Sequence, residues 1–502
     1  MKFSSTLSAT LLLLSLVFNV TGLPNIPSQL RPLPIARTTS ILNNPAPQPD
    51  LPTALEALSA ATTVGLNLTD IQADILVGMK KKKELFFFFG IQDAARFKSK
   101  LASDIQPFIT SVTDILDVAT QPLTAVNLAF SHSGLSALGI TDDLGQEADS
   151  AAIGDPGTSN WVQSFAGKSI HGVMLLASDT VENIDVTLSQ ILSILSDSIG
   201  ELHRVQGSAR PGSEEGHEHF GFMDGISQPA IKGFTQSPLP GQIAVNPGEI
   251  LLAEAGDVIP RPGWAKGGSF LVFRQMEQLV PEFNKFLLDN PISEPGVLTP
   301  EEGSALLGAR MLGRWKSGAP VDLAPLFDNP TLAKDPTMNN NFNYHHDGER
   351  LGDQSRCPFA AHTRKVRPRA DFTPEDGLQH IIRAGIPYGP EVTPEESQSN
   401  TTSPSLERGL AFVAYQSNIG LGFRFLQQAW INNANFFQLG TGVDAIIGSA
   451  GSDSSSRGRS ITGLDPTDPN RVITLQNDFV VSRGGEYFFS PSISAILNTI
   501  AA

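Results

Sequence analysis

The apolar positions of the chain fall into short runs and longer periodic stretches, which predict strands and helices respectively. Residues 85–91 read LFFFFGI and residues 172–178 read GVMLLAS. Short apolar runs bounded by polar residues are typical of buried strands. Between residues 184 and 202, apolar side chains recur at three- and four-residue steps, and this spacing predicts an amphipathic helix. A further helix is predicted over residues 94–108.

The second half of the chain repeats this plan. Residues 269–275 and 409–417 have the pattern of strands, and helical patterns follow them over residues 281–290 and 422–430. Residues 479–489 predict a terminal hairpin that turns at its two adjacent glycines. Strand–helix–strand units that occur twice favour an α+β fold with two related halves, each a sheet covered by helices.

The N-terminal region predicts export from the cell. Residues 1–22 combine a basic start, a short apolar run and small residues near Gly22, which is typical of a secretory signal peptide. Residues 23–62 are rich in proline and lack periodicity, which indicates a propeptide in preference to a functional tail. The two halves then occupy residues 63–250 and 251–502. We therefore expect a secreted, extracellular protein.

Composition argues against several classes of partner. Of 502 residues, 40% are hydrophobic, which is enough for a substantial core, and the formal net charge is −16. Such an acidic chain disfavours nucleic acid and anionic membranes as partners. The single cysteine, Cys357, allows no internal disulfide, and its apolar neighbours favour a buried thiol over a nucleophile. Asn67 and Asn400 begin N-x-[ST] sequons, which suit surface positions in an exported protein.

One acidic residue lies in unusually apolar company. In the stretch GFMDGISQPA, residues 221–230, Asp224 has Phe222, Met223 and Ile226 as neighbours. A carboxylate in apolar surroundings is costly unless it is paired, bound to a metal or protonated. Asp224 is therefore a turn residue, a metal ligand or a group that handles protons.

Histidines offer two kinds of metal site. His217 and His219 could form a zinc site with Asp224, but they lack H-E-x-x-H spacing. A serine hydrolase is disfavoured because the chain has no G-x-S-x-G elbow. His362 follows an apolar stretch and precedes four cations, in CPFAAHTRKVRPR. That setting suits a haem, whose iron takes the histidine and whose carboxylates meet the cations, although a helix end with solvated basic residues has the same pattern.

A third stretch, HIIRAGIPYG, carries Arg383 directly after the apolar pair Ile381 and Ile382. An arginine in such a setting faces an anion or forms a structural ion pair. Together and in this order, GFMDGISQP, CPFAAHTRKVRPR and RAGIPYG resemble the fungal dye-decolorising peroxidases, a family of secreted haem peroxidases. The resemblance runs from about residue 70 to the C-terminus. It implies ferredoxin-like halves with antiparallel sheets, and one haem b per chain in the C-terminal half.

The resemblance also implies a role for each residue. Asp224 becomes the distal acid–base group, Arg383 the stabiliser of developing charge, and His362 the proximal ligand of the haem iron. The remaining contacts to the cofactor are expected from Arg364, Leu410, Phe412 and Asp444, of which the last would orient the histidine. A carboxylate stays a usable base where imidazole is protonated, so we expect an acidic optimum.

The resemblance implies that H2O2 is reduced through Compound I and that dyes, phenols and other aromatics are oxidised. Tyr388 and Trp430 match positions that carry surface radicals in some members, although such residues more often simply pack. Mn²⁺ is a further potential substrate, for which the chain offers too many acidic groups to choose a site. The alternative is a haem-binding or haem-transfer protein on the same scaffold. A carrier needs the histidine alone, so the presence of Asp224 and Arg383 favours the enzyme.

Overall fold

The computed structural model describes most of the chain beyond its N-terminal segment. It covers residues 52–79, 82–117, 121–146, 157–167, 169–346, 353–372, 377–449 and 459–502. The predicted signal peptide, and the predicted propeptide up to residue 51, lie outside these residues. Among the helices within these ranges, none is long and apolar enough to cross a membrane.

The described residues contain thirteen strands, most of them short. They are β1 Lys83–Ile91, β2 Ala125–Ser131, β3 Gly172–Ser178, β4 Ile199–Ser208, β5 Ala230–Ile231, β6 Ala244–Val245, β7 Ser269–Gln278, β8 Ile382–Arg383, β9 Ile386–Tyr388, β10 Gly409–Gln416, β11 Arg459–Ile461, β12 Ile473–Leu475 and β13 Val480–Ser490.

Nine of these strands form one antiparallel sheet. Their order is β7-β13-β2-β3-β1-β4-β9-β10-β8, and β10 also pairs with β7. The pairing of β10 with β7 closes the sheet into a barrel, in which β9 and β8 pair with successive parts of one edge of β10 and β7 pairs with the other edge. Closure leaves few unpaired strand edges.

The barrel is built from two similar halves. Strands of the first half lie in the order β4-β1-β3-β2, and strands of the second half repeat that order as β13-β7-β10-β9. This is the arrangement expected of two ferredoxin-like units. The prediction of an α+β fold with two related antiparallel halves is therefore confirmed, and the structure adds that both halves share one closed sheet.

Alternate side chains of the strands fill the barrel, as the period of two requires. Phe86 and Phe88 of β1 reach Phe273 of β7, with ring centroids 5.0 and 4.8 Å apart, although β1 and β7 are not neighbours in the sheet. The intervening Phe87 and Phe89 face outward, into a second apolar cluster with the covering helices. The phenylalanine run therefore serves two cores at once.

Helices cover the sheet or connect its strands. They are α1 Ala54–Val64, α2 Ala73–Leu76, α3 Ala94–Lys100, α4 Val112–Leu116, α5 His132–Ala137, α6 Gln163–Ala166, α7 Val181–Leu195, α8 Val280–Asp289, α9 Pro300–Leu312, α10 Pro330–Ala333, α11 His362–Val366, α12 Pro394–Ser399, α13 Phe423–Phe425 and α14 Ile493–Ala495. Turns of π helix continue three of them, at Leu101–Ile105, Leu426–Ile431 and Ile496–Ile500.

Two predicted elements differ in the structure. The helix predicted over residues 184–202 ends at Leu195, because Ser196 adopts a left-handed φ of 49° and the chain then enters β4. The hairpin predicted over residues 479–489 is wrong, since these residues run through a single strand, β13. Its register against β7 shifts between Ser482 and Gly484, where Gly484 has φ 117°. The glycines therefore form a bulge and not a turn.

Helix α1 crosses the predicted end of the propeptide at residue 62. Thr53 and Glu56 form a capping box at its start, and Gly65 ends it with φ 77°. Ala57 and Ala61 are buried in the barrel cluster. Helix α1 therefore packs on the barrel although it lies mostly within the predicted propeptide, because the proline-rich composition ends just before it. Removal of the segment remains a prediction.

Candidate active site

The loop between β4 and β5 carries Asp224 and is shaped by a buried carboxylate. Glu218 accepts the backbone N–H groups two and four residues further on, at 2.8 and 2.9 Å. Gly221 and Gly225 have φ of 91° and 81°, a region that residues with a Cβ rarely adopt. The two glycines therefore form the turn that presents Asp224.

Asp224 forms an ion pair with Arg383, which comes from the other half of the chain. Nη1 of Arg383 donates to Oδ1 of Asp224 at 2.7 Å, and the N–H of Gly225 donates to the same oxygen at 2.6 Å. Burial raises the pKa of Asp224, but the charge and hydrogen bond of Arg383, the Gly225 N–H and the charge of His362 hold that pKa below its ordinary value. Oδ2 has no hydrogen bond to the described residues.

Arg383 extends from β8, on the outer side of the barrel. It lies opposite Ala414 of β10, so its side chain shares a face with Leu410 and Phe412, which alternate along the same strand. Both apolar side chains are half-buried, and Phe412 packs against Phe423 with ring centroids 5.6 Å apart. The structure thus places the predicted apolar lining on the face that carries the arginine.

His362 is the first residue of α11 and is oriented by a buried acid. Its Nδ1 lies 2.8 Å from Oδ2 of Asp444, whose side chain is fully buried. Oδ1 of Asp444 accepts the N–H groups of Ile446 and Ile447 at 2.8 and 2.9 Å. Burial raises the pKa of Asp444, but the charge and hydrogen bond of His362 and these two N–H groups hold it below its ordinary value. Nε2 of His362 is left without a hydrogen bond to the described chain.

The side chains of the site suit a haem iron, because most of its ligands come from the porphyrin and not from the protein. Within the described residues, no group of three or more His, Cys, Asp or Glu side chains could hold a metal ion. A single imidazole, fixed through Nδ1 by a carboxylate and with Nε2 available, is the protein contribution that haem iron requires. The charge of His362 also acts on Asp224, so the ligand candidate and the acid lie near each other. These residues therefore fit haem.

Arg364, which is predicted to contact the cofactor, has structural partners in this structure. Its side chain is buried and forms a two-point pair with Asp371, with Nε and Nη2 at 2.7 and 2.9 Å from the carboxylate oxygens. Nη1 donates to the carbonyl of Cys357, and the guanidinium lies over the rings of Phe359 and Tyr344, 4.0 and 4.7 Å from their centroids. Buried contacts of this kind give Arg364 a structural role, and its contact with haem carboxylates stays a prediction.

Of the four cations that follow His362, three are buried. Besides Arg364, Lys365 donates to the carbonyl of Asn433 at 2.6 Å, and Arg369 is surrounded by backbone carbonyls. Arg367 is half-buried and lies 3.0 Å from Nε2 of His380. The run of cations in the sequence therefore mixes interior and partly accessible groups.

Tyr388 and Trp430 are both buried. Tyr388, in β9, is 7% exposed and donates its hydroxyl to Glu407 at 2.7 Å. Burial, followed by the charge of Glu407, raises the pKa of Tyr388, so its phenol stays protonated. Trp430 is 8% exposed and stacks on Phe372, with ring centroids 5.2 Å apart. Phe372 is 39% exposed, so it stands between Trp430 and the surface.

The histidines of the zinc alternative have structural surroundings. His219 is buried, its Nε2 lies 2.9 Å from the carbonyl of Tyr388, and burial lowers its pKa to about 4. His217 forms a backbone bridge with Met223 in the loop that leads to the acid. Cys357 is buried, as predicted, and burial raises the pKa of its thiol to about 12. A buried thiol of this kind is not a nucleophile.

Gln228 is a residue of the site that the sequence did not reveal. Its side-chain amide bonds both backbone groups of Arg383. A glutamine in a loop carries no chemical signal of its own, and the pairing spans 155 residues. Only the fold brings the two together.

Comparisons with known proteins agree with this geometry. The family model for the DyP dimeric α+β barrel domain matches residues 70–211, and the model for the C-terminal part of Dyp-type peroxidases matches residues 343–438. Peroxidase 2 of Mycetinis scorodonius is 60% identical over 484 residues, 93% of this chain and 94% of that protein. The dye-decolorizing peroxidase of Auricularia auricula-judae is 53% identical over 93% of this chain and 92% of its own length.

A crystal structure of a decolorizing peroxidase from Auricularia auricula-judae is similar throughout its length. It superposes with a TM-score of 0.82 at 53% identity and covers 87% of this chain and 100% of its own. Identity at this level, over nearly the whole length of both chains, leaves no other family to consider: the chain belongs to the dye-decolorizing peroxidases.

Proposed function

We propose that this peroxidase reduces H2O2 at one haem b per chain, held by His362, and oxidises dyes, phenols and other aromatic donors. Asp224 is the acid–base group and Arg383 the charge stabiliser. The observation that carries the proposal is the Asp224–Arg383 ion pair, together with the imidazole that Asp444 orients. We also propose that the protein is secreted, on the strength of its N-terminal sequence.

The haem fits the residues that would hold it. Nε2 of His362 would take the iron, and Leu410 and Phe412 would line the side on which Arg383 lies. When bound, the haem supplies the iron at which the peroxide is reduced and the electrons that the donors later replace. Everything else in the reaction falls to side chains of the chain itself.

Asp224 moves the proton. Its Oδ1 is occupied by Arg383 and the Gly225 N–H, whereas Oδ2 has no hydrogen bond to the described residues. Oδ2 is therefore the atom that takes a proton from one peroxide oxygen and returns it to the other, which leaves as water. The lowered pKa keeps the carboxylate ionised, and thus able to act as a base, in mildly acidic solution.

Arg383 supplies a fixed positive charge where negative charge develops. A guanidinium is always protonated, so it stabilises the departing oxygen without a proton transfer of its own. Its bond to Oδ1 also fixes the carboxylate. The pair therefore combines acid–base and electrostatic functions in two side chains.

Bulky donors require a route to the protein surface. Trp430 is the better placed of the two candidate relays, because it stacks on the partly exposed Phe372. Tyr388 lies in the barrel cluster, and its hydroxyl is bonded to Glu407, which would accept the proton that a phenol loses on oxidation. The proposal does not extend to Mn²⁺, because no cluster of three metal-ligating side chains occurs in the described ranges.

The decisive experiment is rapid mixing of the haem-loaded protein with H2O2 across a range of pH. For the native enzyme, the rate should fall on the acid side only as Asp224 becomes protonated, below its ordinary pKa of about 3.9. Asp224→Asn should bind haem normally but react about 10²- to 10⁴-fold more slowly at every pH. Asp197→Asn, at a side chain that is 73% exposed, is the matched control. A normal rate for Asp224→Asn would contradict the acid–base role.

A further inference from the structure

The side chain of Gln228 contacts Arg383 at two points. Its Oε1 accepts the backbone N–H of Arg383 at 3.0 Å, and its Nε2 donates to the backbone carbonyl of the same residue at 2.5 Å. A primary amide that bonds both groups of one residue reproduces what a neighbouring strand would offer. Gln228 thus extends the pairing of β8 on the side that β10 does not occupy.

This support matters because β8 is very short. It consists of two residues, and its pairing with β10 is limited to Ala414 and Tyr415. Two strand residues fix little backbone by themselves, since each ordered residue costs about 1–2 kcal/mol of conformational entropy. The direction of the Arg383 guanidinium therefore depends on what else holds the backbone of that residue.

The loop that carries the acid also holds the arginine. Asp224 accepts from Nη1 of Arg383, the carbonyl of Ser227 accepts from Nη2 at 3.3 Å, and Gln228 holds its backbone. Gln228 is itself anchored, because its carbonyl accepts Nε2 of Gln242 at 3.1 Å. One short stretch of the loop therefore contacts a single arginine through a carboxylate, a carbonyl and an amide.

We propose that Gln228 is a positioning residue for the peroxide reaction, which fixes Arg383 against the Asp224 carboxylate. The inference rests on the proposed function, in which the two charged residues act on H2O2. Gln228 touches neither the peroxide nor the cofactor in this scheme. It acts through Arg383, by restricting the backbone from which the guanidinium extends.

Loss of Gln228 should change the ionisation of Asp224. Arg383 and His362 favour the ionised form of this carboxylate, and the charge of Asp224 in turn raises the pKa of Glu218 in the same loop. Of these, only Arg383 depends on Gln228. When the guanidinium is free to leave, burial prevails and the carboxylate holds its proton to a higher pH.

The test compares Gln228→Leu with Gln236→Leu in the haem-loaded enzyme. Gln236 lies in the connection between β5 and β6 and donates its amide to a backbone carbonyl, that of Glu56, at 2.9 Å, but has no bond to Arg383. In Gln228→Leu, a crystal structure should show the Arg383–Asp224 bond broken, and the acid side of the peroxide rate profile should move to higher pH. Gln236→Leu should retain both the bond and the profile.

An intact Arg383–Asp224 bond and an unchanged profile in Gln228→Leu would overturn the proposal. If that variant does not fold, Gln228→Asn is measured in the same way, because its shorter side chain cannot reach both backbone groups. The distance between the two charged residues reports on Gln228 alone. The acid–base role is tested separately by Asp224→Asn, so a failure of either idea can be recognised.

Discussion

Asp444 is a buried residue that orients His362, the proposed iron ligand, and sets the charge beside it. The Asp444 carboxylate is fully buried, yet two backbone N–H groups and the imidazole stabilise its charge. Because its pKa is depressed on folding, this group contributes stability above the ordinary carboxyl pKa of about 3.9, and the contribution is lost as the pH falls through the lowered value. The same charge would make the imidazole a stronger ligand of the proposed haem iron.

Asp444→Asn should therefore weaken haem binding while the fold persists. An amide has the same shape but no charge, and loss of such an outer partner typically costs about 10- to 100-fold in metal affinity or activity. Titration of the haem-free protein with haem, followed by its absorption, measures this. Asp465→Asn is the control, since Asp465 is also buried but bonds Thr467 and Arg471. Equal haem affinity in both variants would contradict the assignment.

At the scale of single residues, the sequence predicts those site residues whose neighbours along the chain form a recognisable pattern. Asp224, His362 and Arg383 lie in three recognisable stretches, and the structure pairs the first with the third. Asp444 was expected through family resemblance alone, because 82 residues separate it from His362 and an aspartate in a loop has no distinctive pattern. Gln228 has no distinctive sequence pattern either, because its contact with Arg383 is formed only in the folded chain.

In helix α11 the sequence identifies His362 but does not show which of the neighbouring side chains turn inward. The helix has five residues, too few for a hydrophobic period to define its inner face. A sequence that places four cations after His362 cannot show which of them turn inward. Packing decides this, and it directs Arg364 to a buried carboxylate and two aromatic rings.

Arg364→Met should accordingly lower stability and spare haem binding. Removing one partner of a buried ion pair leaves the other charge uncompensated, at a cost of about 3–5 kcal/mol in the free energy of unfolding. Urea unfolding measures this loss. Arg204→Met is a matched control, because Arg204 forms a similar two-point pair with Glu201 at the surface, where such pairs contribute about 0–1 kcal/mol. Unchanged stability with a large loss of haem affinity would instead support a direct contact between Arg364 and the haem.

The strands also show that a local apolar pattern predicts some element boundaries and not others. Residues 172–178 were predicted from their apolar run and match β3. Ile199 and Leu202, in contrast, continue the spacing of α7 but belong to β4, which pairs with β1. A periodic pattern does not reveal where a single residue such as Ser196 turns the backbone into the left-handed region.

Closure of the barrel is what assembles the site in the whole molecule. Asp224 belongs to the first half of the chain, whereas Arg383, His362 and Asp444 belong to the second. The halves meet where β4 pairs with β9 and β13 pairs with β2. The repeated pattern of the sequence predicts two halves. The strand pairs that join these halves involve few residues, and no sequence pattern marks them. The ion pair of the site is therefore a consequence of tertiary structure.

The charge of the whole molecule should decide how quickly different donors arrive. With 51 acidic and 35 basic residues, the net charge of −16 attracts cationic donors and repels anionic ones over distances comparable to the Debye length, about 10 Å at 0.1 M salt. Between about pH 5 and 7, where carboxylates are ionised, added salt should thus lower kcat/KM for a cationic dye and raise it for a sulfonated one.

A neutral phenol is the control for this prediction, because its encounter with the protein should not depend on ionic strength. The three donors are compared in the same buffer, with NaCl varied and H2O2 saturating, so that only the donor step limits the rate. Opposite slopes for the two dyes follow from long-range steering. Parallel slopes would instead show that local charges beside the proposed electron-entry site at Phe372 and Trp430 outweigh the field of the whole molecule.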